Sequence, residues 1–131
     1  MNKFEKIIPY TFKKPERLSS KKTIQELFKN GSSFYLHPLK VLYLPNTQSE
    51  VNQVLFTVPK RLFKKAVDRN LLKRRLREAY RLQKHLLPSE FQIVSIAYIY
   101  TSKDICDYHT IANQLKQSLI RIRKHIEKEQ T

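Results

Sequence analysis

The chain has 131 residues, 40% hydrophobic and 11% aromatic, which is enough for one domain with its own core and leaves little room for a second. It carries 26 Lys and Arg against 11 Asp and Glu, a formal charge of +15, so its surface repels itself unless a polyanion covers it, and nucleic acid is the expected partner. A lone cysteine, Cys106, excludes an internal disulfide, a lone glycine excludes a glycine-rich phosphate loop, and no apolar run approaches the about 18 residues of a membrane span; the expectation is a cytoplasmic protein that is not a nucleotide-dependent enzyme.

Residues 1–18 mix lysines, Pro9, Pro15 and scattered aromatics with neither helical nor strand period, and read as a basic arm ahead of a domain spanning 19–128. Ser20 is placed to cap a helix whose Ile24, Leu27 and Phe28 fall at helical spacing, with Gly31 where a left-handed residue would end it. Leu39 to Leu44 and Val54 to Pro59 are short strand-forming runs separated by Pro45, Asn46 and Asn52, and read as an antiparallel pair. A long helix is expected from Arg69 to Leu87, free of internal Pro and Gly and stopped by Pro88. Gln92 to Tyr100 is almost continuously apolar and reads as a central strand buried on both faces. In the last helix, from Tyr108 to Lys128, Ile111, Leu115, Leu119, Ile122 and Ile126 recur at helical spacing, with Lys116, Arg121, Arg123 and Lys124 on the other face.

The charge is concentrated. Residues 60–84, KRLFKKAVDRNLLKRRLREAYRLQK, hold eleven Lys and Arg against Asp68 and Glu78, which is +9 of the total +15. On a helix, Lys73, Arg74, Arg77, Arg81 and Lys84 all lie within about 60° of Asn70, while Leu72, Leu76, Ala79, Leu82 and Leu86 fall on the opposite side. Most charge runs on helices are merely solvated faces. Here carboxylates for i,i+4 pairing are nearly absent, and arginine, whose planar fork suits phosphate, outnumbers lysine. A helix with one core side and one phosphate side is the better reading.

Phe56 to Tyr80, FTVPKRLFKKAVDRNLLKRRLREAY, resembles the signature of the protein subunit of bacterial ribonuclease P: a strand ending in a Lys-rich turn, then Ala-Val-x-Arg-Asn, then Lys-Arg-x-x-Arg-Glu. Arg17-Leu18 and Phe28-Lys29-Asn30-Gly31 upstream, and the strand and helix downstream, extend the resemblance over most of the chain. Two positions depart from it: Leu71 follows Asn70 where the family usually has Arg, and the glycine usual before the motif is replaced around Phe63 to Lys65. The resemblance implies an α+β fold, a small single-domain α/β sandwich with a central mixed sheet of about four strands. In it the long basic helix makes a left-handed βαβ crossover, against the about 98% prevalence of the right-handed form.

The same resemblance implies that Arg69, Asn70, Lys73, Arg74 and Arg77 contact the catalytic RNA subunit, with Lys60, Arg61, Lys64, Lys65 and Arg81 beside them. It implies a cleft between the first helix and the sheet that binds the single-stranded 5′ leader of precursor tRNA. Phe28 and Tyr43 match aromatics of that cleft, Ile24 stands where a second helix aromatic is usual, and Tyr98 occupies the cleft end of the central strand. Aromatic stacking tolerates varied bases, although without the family such aromatics are more often core. Mg²⁺ would be held mainly by the RNA subunit and the substrate, and the holoenzyme would be an endoribonuclease whose polypeptide is a monomeric, non-catalytic cofactor, with no membrane or DNA partner.

The residues alone supply no evident catalytic set. His37, His85, His109 and His125 form no recognisable acid–base pair, and Asp104 and Asp107 fit capping of the last helix as well as metal. The competing reading is a non-enzymatic RNA-binding protein of ribosomal or RNA-chaperone type. A DNA-binding regulator would need a second helix placed as a helix-turn-helix partner, and none is evident.

Overall fold

The computed structural model describes residues 11–87 and 92–130; residues 1–10 of the arm and the helix stop expected at Pro88 lie outside them. The elements are α1 (Lys21–Asn30), β1 (Ser32–Leu36), β2 (Leu39–Pro45), β3 (Gln53–Thr57), α2 (Ala66–Gln83), β4 (Val94–Tyr100) and α3 (Tyr108–Gln130), with 3-10 turns at Lys14–Glu16 and Lys84–Leu86. The four strands form one mixed sheet in the order β1-β2-β4-β3. β2 is antiparallel to β1 and to β4, whereas β3 is parallel to β4, and α2 connects these parallel neighbours. The expected β2–β3 hairpin is therefore corrected: β4, all of it buried except half-buried Ile99, takes the centre and separates the two. The hairpin partner of β2 is β1, a strand not anticipated because it is short and opens on Ser32 and Ser33.

Strand alternation sends the two faces of the sheet to different helices. Leu39, Val41, Tyr43, Val54, Ile96, Tyr98 and Tyr100 point to α2 and α3, where Leu72, Leu76, Ala79 and Tyr80 meet Ile111, Leu115, Leu119, Ile122 and Ile126 in the larger core. Leu42 and Ala97 point the other way and join Leu27 of α1 and Leu18 in a smaller cluster, with Ile24, Leu44, Leu55 and Ile99 packed around it. Tyr80 supplies the α2 contact expected of Leu82, which is 39% exposed.

Ser20 caps α1, its Oγ accepting from the Thr23 N–H at 3.3 Å. Gly31 ends the helix for a different reason from the one expected. Its φ is −70°, not left-handed. A Cβ there would lie 2.4 Å from the Leu27 carbonyl oxygen of α1 itself and 3.2 Å from that of Tyr43 on β2, so the last turn of the helix, more than the sheet, is what excludes a side chain.

The described part of the arm is docked. Leu18 N–H donates to the Val54 carbonyl at 3.0 Å along the outer edge of β3. Phe12 packs edge-on against Phe56 and Tyr80, and Glu16 accepts from Lys84 Nζ at 2.6 Å.

Candidate nucleic-acid interface

The turn before α2 is built around two anchors. Leu62 and Phe63 N–H groups return to the Pro59 carbonyl, and the Phe63 ring is buried against Tyr100, 5.8 Å between centroids. The bulk that replaces the family's glycine is thus absorbed by the core. Arg69 closes the turn from inside, its Nη1 donating to the Phe63 and Lys64 carbonyls at 2.8 and 2.9 Å. With the turn fixed, Lys60, Arg61, Lys64 and Lys65 project outward as exposed side chains.

Along α2 the cations sort by partner. Arg75 is half-buried and donates to the Cys106 carbonyl at 2.6 Å, tying α2 to the loop ahead of α3. Arg81 pairs with Glu78, and Lys84 reaches Glu16 and the Thr11 carbonyl. Arg81 and Lys84, expected in the stripe, therefore have internal partners, as does Arg69, expected as an RNA contact. Lys73, Arg74 and Arg77 have no ion pair among the described residues, and with Asn70 they occupy an arc of about 100° opposite the buried Leu72 and Leu76. Val67, 76% exposed, stands at the start of the same face. Leu71 lies off this arc, on the flank shared with Arg75, Glu78 and Leu82. The missing cation thus leaves the stripe itself intact. Uncompensated like charges along one helix face are mutually repulsive and suit an external polyanion.

The second expected site is divided by the sheet. Ile24 is half-buried and Phe28 is 46% exposed on α1. Tyr43 and Tyr98 face the opposite side and are corrected to core positions. Tyr98 is fully buried, its ring stacked on Phe56 and its hydroxyl 2.7 Å from Ser118 Oγ, and burial pushes its phenol strongly up. Tyr43 is 8% exposed, bonds His125 and lies edge-on to Phe34; burial raises its phenol as well. Neither can receive a base in this packing.

On the α1 side, beyond the cluster around Leu42, one row of the sheet remains open: Tyr35, Lys40, Ile99 and Thr57, aligned across all four strands by register. Tyr35 is 55% exposed and hydrogen-bonds His37 and Thr101. These residues were not anticipated. The alternation Leu39-Lys40-Val41 is the signal that could have found Lys40 and placed Tyr43 on the other face with Leu39 and Val41.

The histidines are dispersed over the β1–β2 turn, the turn after α2, and both ends of α3. Asp107 caps α3, accepting from the Thr110 N–H at 2.8 Å, and that backbone bond holds its carboxyl below the ordinary range. No helix among the described residues is long and apolar enough to cross a membrane.

The family model for ribonuclease P matches residues 12–123. The ribonuclease P protein component of Porphyromonas gingivalis is 38% identical over 122 residues, covering 87% of this chain and 89% of the relative. That of Petrotoga mobilis is 37% identical over 107 residues, covering 80% and 89%. Among solved structures, the RNase P protein from Thermotoga maritima aligns with TM-score 0.69 at 28% identity over 81% of this chain and 96% of its own. The Staphylococcus aureus RNase P protein aligns with TM-score 0.68 at 26% identity over 83% and 95%. The match runs from Phe12 of the docked arm through the basic turn and α2 to Arg123 of α3, and the chain belongs to the ribonuclease P protein component family.

Proposed function

We propose that the exposed face of α2 and its preceding turn bind the RNA subunit of ribonuclease P, and that the open sheet row beside α1 binds the 5′ leader of precursor tRNA. The observation that carries this reading is the group Lys60, Arg61, Lys64 and Lys65 on the turn and Lys73, Arg74 and Arg77 on the α2 arc with Asn70, consecutive in the chain and without a carboxylate partner among the described residues. Arginine forks and lysine ammonium groups there meet phosphates and release counterions, which gives affinity with little dependence on sequence.

For the leader, Phe28 offers an exposed ring, Ile24 and Ile99 apolar support, and Lys40 a cation for the backbone, the composition that suits unpaired bases of any sequence. Tyr35 adds a second exposed ring in the same row. Arg69 acts indirectly by holding the turn that carries Lys64 and Lys65.

Mg²⁺ requires several oxygen ligands in octahedral array. The α2 face presents ammonium and guanidinium groups, and its Glu78 is already paired with Arg81, so these residues do not fit a Mg²⁺ site. The Mg²⁺-dependent cleavage belongs in this reading to the RNA subunit and its substrate, in the cytoplasm, with the polypeptide positioning both RNAs as a monomer. The test is reconstitution. Protein mixed with a bacterial ribonuclease P RNA and a precursor tRNA at low Mg²⁺ gives a single cut that leaves the mature 5′ end, and RNA-free protein gives none. Cleavage by rigorously RNA-free protein would overturn the assignment.

A further inference from the structure

A groove of about 500 Å³ runs along the outer edge of β3, between the docked arm and α2. Phe12, Leu55 and Phe56 form its apolar wall, and Arg17, Lys73 and Arg77 bring three cations to it from two separate segments of the chain. Among the described residues, no carboxylate lines it. Glu16, adjacent to Arg17, is engaged by Lys84 Nζ and by the Lys13 N–H. Three like charges around one concavity repel unless an anion enters it.

We infer that this groove holds one unpaired nucleotide of the RNA subunit, its phosphate among Arg17, Lys73 and Arg77 and its base against the Phe12–Phe56 wall. The inference rests on the reading of α2 as the RNA-subunit face, since Lys73 and Arg77 belong to both and the occupant of the groove is continuous with whatever covers the stripe. Three further features favour a nucleotide. The Arg17 guanidinium is held over the Phe12 ring, 5.7 Å from its centroid, and Phe12 is itself fixed against Phe56 and Tyr80. The cation is therefore pre-positioned, and less freedom is lost on binding. Val54 uses its outward carbonyl to hold Leu18, so Phe56, two residues on, turns its own N–H and C=O to the same open edge, where a base edge could bond them. The volume lies in the range of small-molecule sites, too small for a duplex, and RNA bases become available for such capture where they are unpaired.

The test uses the full chain with the RNA subunit. Arg17→Ala is expected to weaken RNA-subunit binding about tenfold, the order of one charge-assisted contact. In a 2′-hydroxyl acylation map, one unpaired nucleotide protected by the wild-type protein becomes reactive with Arg17→Ala. Arg17→Lys keeps the salt dependence and recovers part of the affinity; if Arg17→Ala does not fold, the same map with Arg17→Lys decides, because a lysine cannot reproduce the fork over Phe12. Arg74→Ala, outside the groove, separates the two levels. Binding weakened by Arg74→Ala but untouched by Arg17→Ala, with an unchanged map, rejects the groove and leaves the α2 reading standing, whereas binding unchanged in both rejects the reading itself. A change confined to base-paired nucleotides, or to precursor tRNA, also overturns the inference.

Discussion

The Tyr43 hydroxyl is hydrogen-bonded to Nδ1 of His125, which joins β2 to the last turns of α3 across the larger core. The rings meet edge-on at 5.6 Å, and His125 Nε2 is 3.4 Å from Glu129. Tyr43 is thus a packing residue. Tyr43→Ala is expected to cost about 3 kcal/mol of stability, and Tyr43→Phe, which loses only the bond, about 1 kcal/mol. Thermal or urea unfolding measures both. The ratio of affinities for precursor and mature tRNA in the holoenzyme should stay constant, and a fall in that ratio with Tyr43→Phe would return Tyr43 to the leader site.

Phe28 should behave in the opposite way. Its ring is half in solvent on α1, so Phe28→Ala leaves the melting temperature almost unchanged. Precursor tRNA should bind more weakly by about 1 to 3 kcal/mol, the value of a lost base stack, while mature tRNA, which lacks a leader, binds as before. Equal loss for both substrates would mean that Phe28 acts through the fold or the RNA subunit.

Arg74 and Arg69 separate contact from support within one motif. Arg74 is exposed with no ion pair among the described residues, so Arg74→Ala should leave unfolding unchanged and lower the slope of log K against log salt by up to about 0.9 for RNA-subunit binding. Arg69 spends its Nη1 on two carbonyls of the turn. Arg69→Ala is therefore expected to destabilise by about 1 kcal/mol, reduced from a fully buried charged bond by solvent. The inverse pattern, with Arg69 silent in unfolding and Arg74 costly, would exchange their roles.

The helices were legible because period and caps are local. Ser20, the spacing of Ile111 to Ile126, and the glycine- and proline-free run of α2 needed no tertiary information. Pairing was not legible: β2 and β3 are consecutive strands separated by turn residues, and only the apolar length of β4 hints that it would sit between them. The faces of Tyr43 and Tyr98 depend on strand parity, in which one residue of shift moves a ring from cleft to core. Likewise, nothing local distinguishes Arg74 from Arg69 or Arg75. Each of the last two is claimed by a backbone carbonyl brought near through turn or loop, whereas Glu78 offered a local partner to both Arg74, four residues before it, and Arg81, three after, and pairs with Arg81.

Gly31 tests the crowding at the end of α1. Since its backbone angle is available to any residue, Gly31→Ala is disfavoured only by contact, with the new methyl at 2.4 Å from the Leu27 carbonyl. Relief requires the end of α1 to open around the Leu27 carbonyl, which also accepts from the Gly31 N–H, at a cost of about 1 to 3 kcal/mol, typical of overpacking. Gly31→Ser should be at least as unstable. Unfolding midpoints equal to wild type would show that the helix end yields freely.

Asp107 gives a pH-dependent prediction. The Thr110 N–H, followed by the Thr110 hydroxyl, favours the carboxylate and lowers its pKa below the 3.8 of a free aspartate. A depressed folded-state pKa means that the unfolded chain binds the proton more tightly. The stabilisation is therefore complete above the unfolded-state pKa and is lost as pH falls through the lower folded-state value. Wild type should melt above Asp107→Ala at pH 7, and the two curves should draw together below about pH 4. Asp107→Asn keeps a side-chain acceptor for the Thr110 N–H without a charge, so its advantage over alanine should persist with little pH dependence. Because other carboxylates titrate in the same range, the difference between each variant and wild type is the quantity to follow. A gap between wild type and Asp107→Ala that stays constant from pH 7 to pH 2 would show that ionised Asp107 contributes nothing beyond a neutral cap.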